Sequence, residues 1–279
     1  MLRSLLICGL IAGACAGLLA TGFAELAGEP PIDNAISFEA RQAEAAGEAP
    51  EPELVSRAVQ RTAGLLTAAV VYGLALGGLF ALAFGYVYGR VAREGPRGTA
   101  LWLAASAFAV LFLVPFIKYP ANPPGVGSPD TIGHRTLLQL TMVAISVVAA
   151  IAAVRVRRAA SRRVSPTGAA AIAGAAYLAM VVVAGLAMPA VQEVPRAFPA
   201  TTLWQFRQAS VGMNAVLWAT IGVLFAVAAP RVMAARAARP GLATRTAHRG
   251  MRARVSTSDT ERDGVPTRLR PRHLRRRHP

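Results

Sequence analysis

The sequence is short of the groups that soluble proteins carry on their surfaces. Only 16% of its 279 residues are charged and 14 are acidic. An ordinary soluble domain is about one quarter charged, so that class is excluded. Lysine is almost missing: Lys118 stands alone, and the other basic residues, 29 of 30, are arginine. Cysteine is limited to Cys8 and Cys15. Seven residues apart on a helix, they would be separated by about 10 Å along its axis, too far for a disulfide. Both read as small packing residues. There are four histidines, and three of them, His248, His273 and His278, lie near the C-terminus. No phosphate-binding loop, nucleophile elbow, HExxH pair or dinucleotide fingerprint occurs. No catalytic residue and no permanently bound cofactor is therefore expected, and an enzyme has no constellation behind it.

What is abundant is apolar surface, at 54% of residues and a mean hydropathy of +0.44. It is gathered into six stretches free of charge: Ser4–Ala24, Thr62–Gly89, Gly98–Ile117, Thr136–Val154, Val164–Gln192 and Gln208–Pro230. Crossing a hydrocarbon core of about 30 Å takes about 20 helical residues, and each stretch is near or above that length. The pattern predicts an all-α, polytopic membrane protein, a six-helix transmembrane bundle with spans at about 4–26, 62–89, 98–117, 135–154, 166–188 and 208–229. The first stretch is too long for the apolar core of a signal peptide and reads as a retained span.

The basic residues predict the orientation. With the N-terminus inside, 23 of the 30 fall on the cytoplasmic side, among them Arg90, Arg93 and Arg97 in one short connection and Arg155, Arg157, Arg158, Arg162 and Arg163 in another. An excess of arginine in short loops marks the cytoplasmic side, so the topology is expected to be N-in/C-in. Ser128-Pro129 and Ser165-Pro166 each place a capping hydroxyl before a proline, the signature of a helix start. Gly9, Gly13 and Gly17, matched by Gly73 and Gly77, recur every four residues and suit close helix packing.

The outer connections then hold the unusual residues. Eight of the 14 acids lie between Glu25 and Glu53, and most read as solvated loop acids. Glu29 and Asp33, near a helix end, together with Asp130 and Glu193, are candidate metal ligands forming a negative mouth that would concentrate cations. Asp130 and His134 stand four apart at a helix start, and carboxylate with imidazole suits cobalt, nickel or zinc. Asp130 in a first turn equally favours the helix dipole. The proline-rich runs around residues 118–130 and 188–199 are expected to be stiff and non-helical. Within them and beside them, Lys118, Asn122, Pro123, Pro124, Trp204 and Arg207 are candidates for shaping or gating the mouth. Lys118 would snorkel to the interface, and Trp204, Phe206 and Arg207 form an aromatic belt with an anchoring base. The spans contain no interior acid or base, which argues against a proton relay within this chain.

Residues 231–279 hold 14 arginines against three acids and lack apolar periodicity. They read as a disordered, arginine-rich cytoplasmic tail that touches anionic lipid. Nothing beyond charge points to a nucleic acid.

The polar connections carry a resemblance. The run Lys118-Tyr119-Pro120-Ala121-Asn122-Pro123-Pro124, the run Pro129-Asp130-Thr131-Ile132-Gly133, Gly28-Glu29-Pro30 with Asp33, Glu53-Leu54-Val55-Ser56-Arg57, and Glu193-Val194-Pro195 through Phe198-Pro199 to Trp204 and Arg207 closely resemble the CbtA family. It covers residues 1 to about 230 and leaves the tail outside. It implies a multi-pass subunit in the inner membrane of a bacterium, taking up cobalt for cobalamin synthesis with CbtB, a small single-span partner bearing histidines. A second copy of the chain stays open as a further partner, and a non-transporting membrane scaffold stays open as the alternative function.

Overall fold

The computed structural model describes residues 2–47, 55–91 and 94–237. Glu48, Glu51, Glu53 and the tail beyond Ala237 lie outside them. The chain divides into a unit Met1–Val232 and a second, Met233–Pro279. Among the described residues there are no strands and six long helices: α1 (Leu2–Ala46), α2 (Arg57–Val87), α3 (Pro96–Lys118), α4 (Pro129–Ala160), α5 (Pro166–Ala187) and α6 (Ala200–Ala237). All six are long and apolar enough to cross a membrane. Their outward residues are apolar as lipid requires; Leu79 and Leu186, for example, are exposed.

Most of the helices outrun their charge-free stretches, α1 most of all, whereas α5 stops at Ala187, short of Gln192. Rather than ending near residue 26, it continues to Ala46, so half of the expected first connection is helix. Pro30 and Pro31 lack the N–H groups that an unbroken α-helix would use. A π-helical turn at Ala24–Gly28, in which the Glu29 N–H bonds the Ala24 carbonyl, resets the register just before them. The prolines then occupy the first turn of a new α segment, where a missing N–H is tolerated. Likewise α6 runs through Pro230 to Ala237, so residues 231–237 are helical rather than tail. Ser128 and Ser165 do cap helix starts, their hydroxyls accepting from the Asp130 and Gly168 N–H groups.

Glycine sets the closest contact. Gly9 faces Gly77, Gly13 faces Gly73 and Gly17 faces Ala69 across the antiparallel α1–α2 pair, so that a β-carbon at any of the three α1 positions would fall on the facing carbonyl oxygen. In lipid, where apolar side chains gain little by meeting each other, such backbone approach is a main source of helix association. Helix α6 closes over this pair. Phe225 meets Phe80 and Phe84 of α2 edge to face, at 5.2 and 4.9 Å between ring centroids. Gly212 lies under Phe23 of α1, and Gly222 under Ala104 of α3.

Helices α4 and α5 pack through Met142, Ala149 and Val181, flanked by Val114 of α3 and Tyr177. The Ser146 and Tyr177 hydroxyls are 2.8 Å apart, satisfying each other where water is absent. At one end of the bundle the α1 extension carries Ala35 and Phe38 against Val126 and Val194 of the two proline-rich connections, Phe198 just ahead of α6 and Leu203 in its first turn. This small second core holds the connections over the helix ends.

Candidate functional site

The polar residues of that end form two clusters. In the first, Glu25, Glu29 and Asp33 follow one another at four-residue steps along α1, and Arg57 and Arg61 do the same at the start of α2. Arg57 donates to the Glu29 carboxylate at 2.6 Å and to Asp33 at 3.3 Å. Arg61 donates to Glu25 at 3.2 Å and lies 3.6 Å from Glu29. The Glu29 side chain is only 5% exposed, and these guanidiniums are the counter-charges of its carboxylate. Three carboxylates against two guanidiniums leave one negative charge.

In the second cluster, Glu193 reaches from the α5–α6 connection to the first turns of α4. Its carboxylate accepts from the Thr131 hydroxyl at 2.9 Å and the Ser128 N–H at 3.2 Å, and lies 3.3 Å from Arg135 Nε. Gly127, at φ +102°, runs beneath this pair; a β-carbon there would meet both Arg135 and Glu193. The left-handed backbone favours glycine here, and a side chain would push the Arg135 and Glu193 termini aside.

The proline-rich connections are stapled together. Lys118 Nζ donates to the Met188 carbonyl at 2.9 Å and lies 5.5 Å from the Tyr119 ring centroid. Its ammonium is held by the neighbouring connection. The Tyr119 hydroxyl donates to the Pro189 carbonyl at 2.8 Å; desolvation raises its pKa and keeps it a donor. Arg207 donates to the Ala121 carbonyl at 3.3 Å and to Asn122 Oδ1 at 3.0 Å. Pro123 is buried beneath this arrangement, while Pro124 and Trp204 are exposed. Trp204, Phe206 and Arg207 all lie within α6 rather than ahead of it.

Of the candidate ligands, Glu29, Asp33 and Glu193 are thus occupied by arginine. Asp130 and His134 are exposed, and Asp130 makes no ion pair among the described residues. No group of three or more His, Cys, Asp or Glu side chains placed to hold a metal occurs among the described residues. Reading the sequence for ligands passed over Arg57, Arg61 and Arg135. The matching four-residue steps of 25, 29, 33 and of 57, 61 were the available signal for the first two.

The model of the CbtA family, described as "probable cobalt transporter subunit", matches residues 2–230. No curated protein and no solved structure matches the chain.

Proposed function

The chain belongs to the CbtA family, and on that premise we propose that it is the membrane-embedded part of a system that brings cobalt into a bacterial cell for cobalamin synthesis. The observation that carries this reading is the family match over the whole of the six-helix region. The arginine distribution supports an N-in/C-in placement in the inner membrane, with the Glu25, Glu29 and Asp33 cluster facing the side from which metal arrives. A residual negative charge there favours cations. The membrane potential, negative inside, adds roughly 4.6 kcal/mol per 100 mV for a divalent ion, so no ATPase motif is needed.

The charge-free stretches inside the spans hold no acid or base of their own, so a passage through the membrane needs donors from elsewhere. A small single-span subunit bearing histidines, CbtB-like, would supply imidazoles, with Asp130 and His134 exposed at the mouth for first contact. Radiolabelled cobalt uptake by cells expressing this chain with and without that partner tests the reading. Uptake is expected when both are present.

A second reading, a scaffold that holds the transporting partner without conducting metal, draws on the arginine pairing of Glu29, Asp33 and Glu193. Background uptake in both cases, with the partner still co-purifying, would favour it.

A further inference from the structure

The opposite end of the bundle has a feature that metal uptake does not use. Where α4 turns into α5, the surface carries an open hollow of about 770 Å³ lined by Arg155, Arg158, Arg162 and Arg163 together with Val156 and Ile172. The turn is well ordered by its own hydrogen bonds: Ser161 Oγ donates to the Arg157 carbonyl at 2.8 Å, and the Gly168 N–H donates to Ser165 Oγ at 3.2 Å. Arg158 is anchored by donating to the Arg90 carbonyl at 2.7 Å. None of the four arginines pairs with a carboxylate among the described residues, in contrast to Arg57, Arg61 and Arg135 at the other end.

The wall of the hollow is mostly apolar and its four arginines are exposed; their like charges, paired with no carboxylate among the described residues, favour an anion beside them, and their planar donor forks match phosphate oxygens. The remaining wall is apolar, and the hollow sits at the ends of two helices whose exposed side chains, Val148 and Ile151 of α4 and Ile172 of α5, face lipid. A ligand that is anionic at its head and apolar below satisfies both surfaces. We propose that this hollow binds the phosphate headgroup of an anionic membrane phospholipid. The site is distinct from any lipid contact of the tail and does not depend on the transport reading. Basic recesses at helix ends are suited to such headgroups, and a bound lipid would fix α4 against α5 at their arginine-rich end.

The test uses the full chain purified in mild detergent, with bound lipid read by native mass spectrometry in mixed micelles of phosphatidylglycerol and phosphatidylcholine. The unmodified protein is expected to retain phosphatidylglycerol selectively. The variant R155Q/R158Q/R162Q/R163Q should lose that retention by about a thousandfold. A charge-matched tail variant, R268Q/R270Q/R275Q/R276Q, should keep it. The guanidiniums of Arg162 and Arg163 make no hydrogen bonds among the described residues, so R162Q/R163Q should leave the fold intact and lose about thirtyfold. Unchanged retention in both hollow variants, loss in the tail variant instead, or displacement of the lipid by millimolar inorganic phosphate would each overturn the proposal.

Discussion

Arg57 and Glu29 lie 28 residues apart in the chain, yet the guanidinium approaches the carboxylate to 2.6 Å across the α1–α2 pair, with the Glu29 side chain only 5% exposed. Removing one partner of such a pair strands the other, whereas removing both removes the problem. Arg57→Gln is expected to lower stability by about 2–4 kcal/mol, and the double variant Glu29→Gln with Arg57→Gln by less. Thermal unfolding in detergent checks the order; a double variant weaker than Arg57→Gln alone contradicts it.

The glycine contact predicts a sharp positional contrast. A β-carbon at Gly13 or Gly73 would land on the facing carbonyl oxygen, whereas at Gly22 nothing lies within 4 Å. Gly13→Ala and Gly73→Ala should each cost about 2–3 kcal/mol through forced separation of the helices. Gly22→Ala should be neutral or slightly stabilising. Detergent melting temperatures of the three variants decide the matter.

Arg207 grips the Ala121 carbonyl and the Asn122 amide oxygen together. Lysine keeps the charge but lacks the planar fork. Arg207→Lys is expected to cost about 1 kcal/mol and to speed proteolysis between residues 119 and 128. Equal cleavage rates would show that the contact does not hold this connection.

Asp130 and Glu193 separate attraction from architecture. Asp130 is exposed and unpaired among the described residues, so Asp130→Asn should raise the cobalt concentration for half-maximal uptake, more at low salt than at high, with the maximal rate unchanged. Glu193→Gln loses its ion pair with Arg135 and should lower stability and maximal rate together. Uptake kinetics at two ionic strengths, alongside melting curves, distinguish the two.

Orientation is checked by cysteine labelling. In a background with Cys8 and Cys15 replaced by alanine, Ser128→Cys is expected to react with a membrane-impermeant maleimide applied outside intact spheroplasts, and Ser161→Cys only after lysis. The reverse pattern would invert the assigned topology and put the acidic clusters inside.

Much of the fold was legible because its determinants are local. Solvation of a span depends on about 20 residues of its own sequence, and a serine-proline pair caps the helix that it precedes, as at Ser128 and Ser165. The continuation of α1 to Ala46 was hidden, since the charge-free stretch ends at Ala24 and an acidic run follows it. It takes a π-helical turn at Ala24–Gly28 to carry the helix past Pro30 and Pro31.

The candidate site was less legible. Glu29, Asp33 and Glu193 stood out as carboxylates near helix ends, but whether a carboxylate waits for a cation or already holds one depends on residues from another helix. By itself, the sequence determined six helical spans and the placement of acids and arginines along them. Only the tertiary structure decided that Glu29 lies under Arg57 and Glu193 beside Arg135. Those pairs exist because glycine contacts and a small core around Ala35, Val126 and Phe198 bring distant segments within hydrogen-bonding range, and no local pattern encodes that distance.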